Sequence, residues 1–179
     1  MWRGLMLAGI VILIPACGGV GGDGSGASSE AAVVFADPGI ETFPDEGHDH
    51  VPVGTFIAYQ TDPPTSGNHY PNPQPGGFYK KPIAPGFLVH SMEHGGVIIY
   101  YEGHHVSKDD LTALRSLAAA HRGNFSQVVV VPRNDSEFPI ILTAWTHRLR
   151  LTAYDSDRVH GFLALFLGNG PESDPTHTD

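Results

Sequence analysis

Residues 89–101 read VHSMEHGGVIIYY, and the fold turns on how they divide. Val97 to Tyr101 are continuous, β-branched and aromatic, the pattern of a buried strand. The half before them carries His90 and His94, four apart, with Met92 and Glu93 between. His90 to His94 also spell H-x-x-E-H, the signature of one class of zinc peptidase. A spacing of four puts both imidazoles on one face of a helix, and any even spacing does the same on a strand. The pair can therefore share a ligand site whichever way the backbone runs. Gly95–Gly96 follow at once, and glycine costs about 1 kcal/mol in a helix interior. The stretch is expected to run strand, tight turn, strand, with residues 87–89 as the first strand or its end. A peptidase helix is not expected. Its third ligand is also missing downstream, because Glu137 lies near Pro139 and Glu172 lies in the tail.

Working outward, residues 107–123, SKDDLTALRSLAAAHRG, predict a helix. Ser107 is its N-cap, Asp109 and Asp110 suit the first turn, and Gly123 ends it. Leu111, Leu114, Leu117 and Ala118 form its apolar face. SQVVVVP (126–132) is a short apolar strand stopped by Pro132. FPIILTAWTHRLRL (138–151) is read as a further strand, with about eight convincingly apolar residues. DSDRVHGFLALFLGNG (155–170) is a second helix, capped at Asp155 or Ser156, whose apolar run ends at Gly168. The expected class is α+β: a small, mainly antiparallel sheet with two helices on one face.

Upstream, residues 37–86 are rich in proline and glycine, which excludes long helices. One short strand is expected at 53–59. The rest forms long N-terminal loops, anchored by Phe43, Phe56, Tyr59, Tyr70, Phe78 and Tyr79. Loops of this length in a compact domain are commonly functional.

The N-terminus is an appendage. Arg3 precedes an apolar run of about ten residues, too short to span a bilayer and suited to a signal peptide. The run ends in Ile14–Pro15–Ala16–Cys17, and a small residue before a cysteine resembles a lipobox. Cys17 is the only cysteine, so it has no disulfide partner within the chain. The expected organisation is a lipoprotein signal peptide over 1–16, lipidation at Cys17, a Gly/Ser-rich tether over 17–34, the folded domain over 35–170 and a disordered tail over 171–179. That arrangement implies an extracytoplasmic protein held to a membrane.

The formal net charge is −9, with ten basic residues against nineteen acidic ones. No basic stripe is present, so no nucleic-acid partner is expected. Eleven histidines are the unusual feature. His48 and His50 lie in EGHDHVP and His69 in TSGNHYP, both in irregular segments that can fold over His90 and His94. Neutral imidazole suits zinc and copper alike. Glu93 is a further ligand or a partner that fixes an imidazole tautomer. Met92 is a soft candidate ligand that would favour Cu(I), but its offset of two from His90 favours a core position. His104, His105, His121, His147, His160 and His177 are expected outside the site. Ser66 and Ser91 lack the strand–elbow–helix setting of a nucleophile.

YQTDPPTSGNHYP (59–71), FLVHSMEHGGVIIYY (87–101), VVVVP (128–132) and PIILTAW (139–145), in this order, resemble the bacterial DUF3105 family. The resemblance covers roughly residues 47–168. It implies no activity, since the family is uncharacterised, though its members are often membrane-anchored. His50, Pro63, Pro64, Ser66, Gly67, His69, His90, Glu93, His94 and Gly95 match its motif positions. His147 stands where the pattern tends to have another residue.

The expected function is a histidine-rich site for a transition metal, copper or zinc, on His50, His69, His90 and His94 with Glu93 supporting them. Two alternatives stand beside it. One is a metal-dependent hydrolase with Glu93 as base. The other is an envelope protein-interaction module that uses the proline-rich loops and no metal.

Overall fold

A computed structural model describes residues 37–135 and 137–173. The expected signal peptide, Cys17 and the tether lie outside the described residues, as does most of the tail. The elements run β1 (Ile40–Thr42), β2 (Gly77–Phe78), α1 (Pro85–Glu93), β3 (Val97–Tyr101), α2 (Lys108–Ala120), β4 (Val128–Pro132), β5 (Ile140–Ala144), β6 (His147–Leu151) and α3 (Ser156–Phe166).

The strands form one sheet in the order β1-β6-β5-β3-β4-β2. Pairing is antiparallel from β1 through β6 and β5 to β3, and parallel from β3 through β4 to β2. The fold is α+β with a mainly antiparallel sheet, as expected. The parallel β3–β4 pair requires a crossover, and α2 supplies it.

Both faces of the sheet are covered. Val97, Ile99, Val128, Val130, Leu142 and Leu149 pack against Leu114 and Leu117 of α2 and Val159 and Phe162 of α3. Ile98, Tyr100, Val129, Val131 and Ile141 pack against Leu88, Val89 and Met92 of α1. Burial on both sides is why the central strands read as unbroken apolar runs. Each fully buried aliphatic or aromatic side chain contributes roughly 1.5–3 kcal/mol.

Four expectations are corrected. First, residues 85–93 form a helix and not a strand, so His90 and Glu93 stand on α1 and His94 caps it. Pro85 starts the helix, where its missing N–H costs nothing and its φ is already helical. The glycines end it. Gly95 has φ +83°, its amide donates to the Met92 carbonyl at 2.9 Å, and the Gly96 amide donates to Ser91 at 2.7 Å. This is a Schellman closure, in which Gly-Gly punctuates a helix and does not exclude one. Second, the described residues hold three helices, and α1 covers the face opposite to α2 and α3. Third, residues 138–151 hold two strands joined by a two-residue turn, with Ala144 opposite His147. Fourth, residues 53–59 form no strand, and Val53 and Phe56 in them are exposed.

The helix caps follow the sequence. The Ser107 hydroxyl accepts from the Asp110 amide at 3.1 Å, and the Asp155 carboxylate accepts from the Arg158 amide at 3.1 Å. The β1 edge is tied by charge. Glu41 lies opposite Arg148, whose Nε and Nη2 donate to its two oxygens at 2.9 and 3.2 Å. Arg150 donates to the same carboxylate at 3.1 Å.

Candidate metal centre

The C-terminal half of α1 lies beneath two of the proline-rich loops. An isolated parallel bridge joins the loops at His50 and His69. In it the Val51 amide donates to the His69 carbonyl at 2.8 Å, and the His69 amide donates to the Asp49 carbonyl at 3.1 Å. The Tyr70 amide donates to the Gly86 carbonyl at 3.2 Å, which docks the second loop on the start of α1. That approach needs a glycine, because a Cβ on Gly86 would come within 2.8 Å of the Tyr70 ring.

This packing gathers residues far apart in sequence. The rings of His50, His69 and His90 have centroids 4.9 Å apart in all three pairings. Ligand bonds of about 2 Å at tetrahedral angles hold imidazole centres about 5 Å apart. One donor atom from each of His50, His69, His90 and Glu93 lies within 4.8 Å of all the others. His69, His90 and Glu93 are at most 1% exposed, whereas His50 faces solvent.

The hydrogen-bond partners assign the tautomers. His69 Nδ1 lies 3.0 Å from the Gly67 carbonyl and His90 Nδ1 lies 2.7 Å from the Tyr70 carbonyl. A carbonyl oxygen only accepts, so each Nδ1 carries hydrogen and each neutral ring keeps its lone pair on Nε2. Metal-binding histidines are oriented in the same way by a backbone carbonyl behind the ring. Burial, foremost, pulls the His90 pKa down to about 4, against the pull of the Tyr70 carbonyl. His90 is therefore neutral at pH 7, the form that ligates. Burial also disfavours charge on His69, but the Glu93 carboxylate and the Gly67 carbonyl outweigh it and leave that pKa raised. A proton on His69 is a local positive charge for Glu93 in the cation-free cluster, and a bound cation supplies the same charge.

Glu93 is the least satisfied group of the cluster. His69 Nε2 lies 2.8 Å from Glu93 Oε2. The two atoms nevertheless do not meet in hydrogen-bond alignment, and Glu93 Oε1 has no hydrogen-bond partner either. A buried carboxylate is costly unless a positive charge, whether a proton on His69 or a bound cation, compensates it.

Of the residues expected in the site, His50, His69, His90 and Glu93 come together. His94 lies beside them, half-buried at the end of α1. Its Nε2 is 2.8 Å from His90 Nε2, and the two rings stack at 4.7 Å. The backbone carbonyls already fix the tautomers of His69 and His90, so neither ring depends on Glu93 for its tautomer. Met92 is fully buried in the apolar cluster under α1 and is a core residue. Ser91 is a structural link, accepting from the Gln74 amide at 2.9 Å and lying 3.0 Å from the Gln74 and Phe87 carbonyls, which share its one hydroxyl hydrogen. His147 stacks on Phe166 at 4.4 Å, away from the cluster.

Sequence reasoning missed Glu172. Its amide donates to the Glu93 carbonyl at 3.0 Å, and Gly168 donates to Gly95 at 2.8 Å. Donor atoms of Glu93, His94 and Glu172 lie within 4.8 Å of one another. The available signal was Gly170, where a Cβ would come within 2.1 Å of the Glu93 carbonyl oxygen.

A family model matches residues 50–179. The chain belongs to the DUF3105 family. That family is described as a protein of unknown function. The part of this DUF3105 chain that matches includes His50, His69, His90, Glu93, His94 and Glu172, the clustered donors among the described residues. No curated protein and no solved structure matches the chain.

Proposed function

We propose that this DUF3105 domain binds a divalent transition metal, zinc or copper, through His50, His69, His90 and Glu93. The observation that carries this reading is the Glu93 carboxylate. It is buried, its close partner is His69 Nε2 at 2.8 Å outside good hydrogen-bond alignment, and three imidazoles converge on it. Three neutral imidazoles and a carboxylate suit Zn²⁺ or Cu²⁺. With Met92 in the core, the set lacks the soft ligand that selects Cu(I).

Metal handling is the role this arrangement supports best. Three donors are buried and held by the fold, while His50 faces solvent on a loop and offers a route for exchange. An anchored protein outside the cytoplasm fits this role, with Cys17 acylated and the Gly/Ser segment as a tether. Mass analysis of Cys17 in membrane extracts tests the anchor separately.

The test of the site is elemental analysis and Zn²⁺ and Cu²⁺ titration of the purified full chain. Tight stoichiometric binding that is lost in His69→Ala and His90→Ala is expected. Absence of stoichiometric metal, or affinity unchanged in both variants, would end the reading.

A further inference from the structure

Glu93 belongs to two donor sets at once. One is the His50, His69, His90 group. The other comprises Glu93, His94 and Glu172, whose donor atoms also lie within 4.8 Å of one another. Two features make the second set more than a coincidence of polar residues. Glu93 is 1% exposed, and both of its oxygens lack hydrogen-bond partners, so each oxygen has lone pairs to give. The second set is also built into the backbone. The Gly95 turn ends α1 at His94, and the Glu172 amide is bonded to the Glu93 carbonyl. Gly170 permits that contact, because a Cβ there would come within 2.1 Å of the Glu93 carbonyl oxygen.

The two sets abut. His90 Nε2, from the first, lies 2.8 Å from His94 Nε2, from the second. Enzymes and binding proteins with paired cations hold them about 3.5–4 Å apart, commonly with a carboxylate between. Here one carboxylate lies between a histidine-rich set and a mixed set, and its two oxygens can each take one cation.

We propose that the centre is dinuclear: a second divalent cation binds to His94 and Glu172, and Glu93 bridges it to the first. This rests on the metal-binding reading above and adds a second position to it. The second position has a harder donor set, two carboxylates and one imidazole, and both His94 and Glu172 are partly exposed. It therefore binds more weakly than the first and suits Zn²⁺ better than a soft ion.

Titration of the full chain with Zn²⁺, read by calorimetry and elemental analysis, tests the proposal. Two equivalents are expected for the parent chain and one for Glu172→Gln, with the tighter step unmoved. His94→Ala is expected to behave as Glu172→Gln does. With Cu²⁺, two bridged ions couple magnetically, so the integrated electron-spin signal of the loaded parent falls short of the copper content. In Glu172→Gln the signal should account for all of the copper. One equivalent in the parent, unchanged in Glu172→Gln, overturns the second position and leaves the first intact. Loss of the tighter step in His94→Ala alone makes His94 a ligand of the first cation and overturns the proposal as well. No bound cation in the parent ends both readings. Circular dichroism of each variant confirms that it is folded before its stoichiometry is counted.

Discussion

The amide of Glu172 donates to the carbonyl of Glu93 at 3.0 Å, joining the chain after α3 to the last residue of α1, main chain to main chain. The site is thereby closed from a part of the sequence some eighty residues beyond the histidine motif. The closure depends on Gly170, where a Cβ would meet the Glu93 oxygen at 2.1 Å and the Gly95 amide nitrogen at 2.3 Å. Backbone atoms have little room to yield. Gly170→Ala is expected to destabilise the fold by about 1–3 kcal/mol through overpacking. Urea unfolding of parent and variant measures it.

His69→Ala and Met92→Leu should separate ligand from core. Removing His69 takes away a donor and strands Glu93, so metal affinity is expected to fall by more than about 100-fold, beyond what the loss of a supporting residue costs. Met92→Leu keeps volume and apolarity in the cluster below α1. It is expected to cost less than about 1.5 kcal/mol and to leave metal affinity unchanged. Competition with a chromophoric chelator reads both affinities. A weakened Cu(I) affinity in Met92→Leu would make the thioether a ligand.

Much of this was legible in the sequence. The strands at 97–101 and 128–132 are buried on both faces and carry no polar interruption. The caps at Ser107 and Asp155 are local chemistry. Histidine-bearing loops over a histidine pair suggested that His50, His69, His90 and His94 meet, and His94 instead lies beside the group that Glu93 joins. Elsewhere the local signal was ambiguous or weak. Gly95–Gly96 can break a strand or close a helix, and the Pro85 start signal had to be weighed with them to decide. The β5–β6 turn uses Trp145 and Thr146, with Thr146 at φ +61°. It lacks the Asn-Gly or Asp-Gly pair that marks such hairpins. β1 and β2, three and two residues long, exist only through their partners. Glu172 left only the faint signal of Gly170 near it, because a main-chain contact across the fold leaves no periodicity.

Acid should loosen the β1 edge. The Arg148 guanidinium, outweighing burial and helped by Arg150, holds the Glu41 carboxyl below its ordinary value of 4.5. The folded state thus binds this proton less readily than the unfolded chain does. Its stabilising contribution is complete above the unfolded value and is lost as pH falls through the lower folded value. Asp37, lowered by Arg158, acts with the same sign. Glu41→Gln is expected to flatten, but not abolish, the fall in stability on acidification below about pH 4.5. Unfolding curves across that range check it.

Metal should raise stability by mass action. With free Zn²⁺ at about 100 times its dissociation constant, the folded state gains about 2.7 kcal/mol at one site. Melting temperature is expected to rise with added Zn²⁺ in the parent chain and to stay flat in a His69→Ala, His90→Ala double variant. Chelator should reverse the rise.

The bridge between His50 and His69 joins two loops that contain little regular structure. His50 and His69 are nineteen positions apart, and His69 and His90 twenty-one. A cation held by all three closes both intervals at one point. In a chain whose single cysteine precludes an internal disulfide, such a cation would be a reversible cross-link of the folded domain. Unlike a disulfide, it would leave on unfolding, so its whole contribution would come from binding the folded state. The proline-rich third of the domain would then be reversibly stapled, and its order would be set by the metal supply around it.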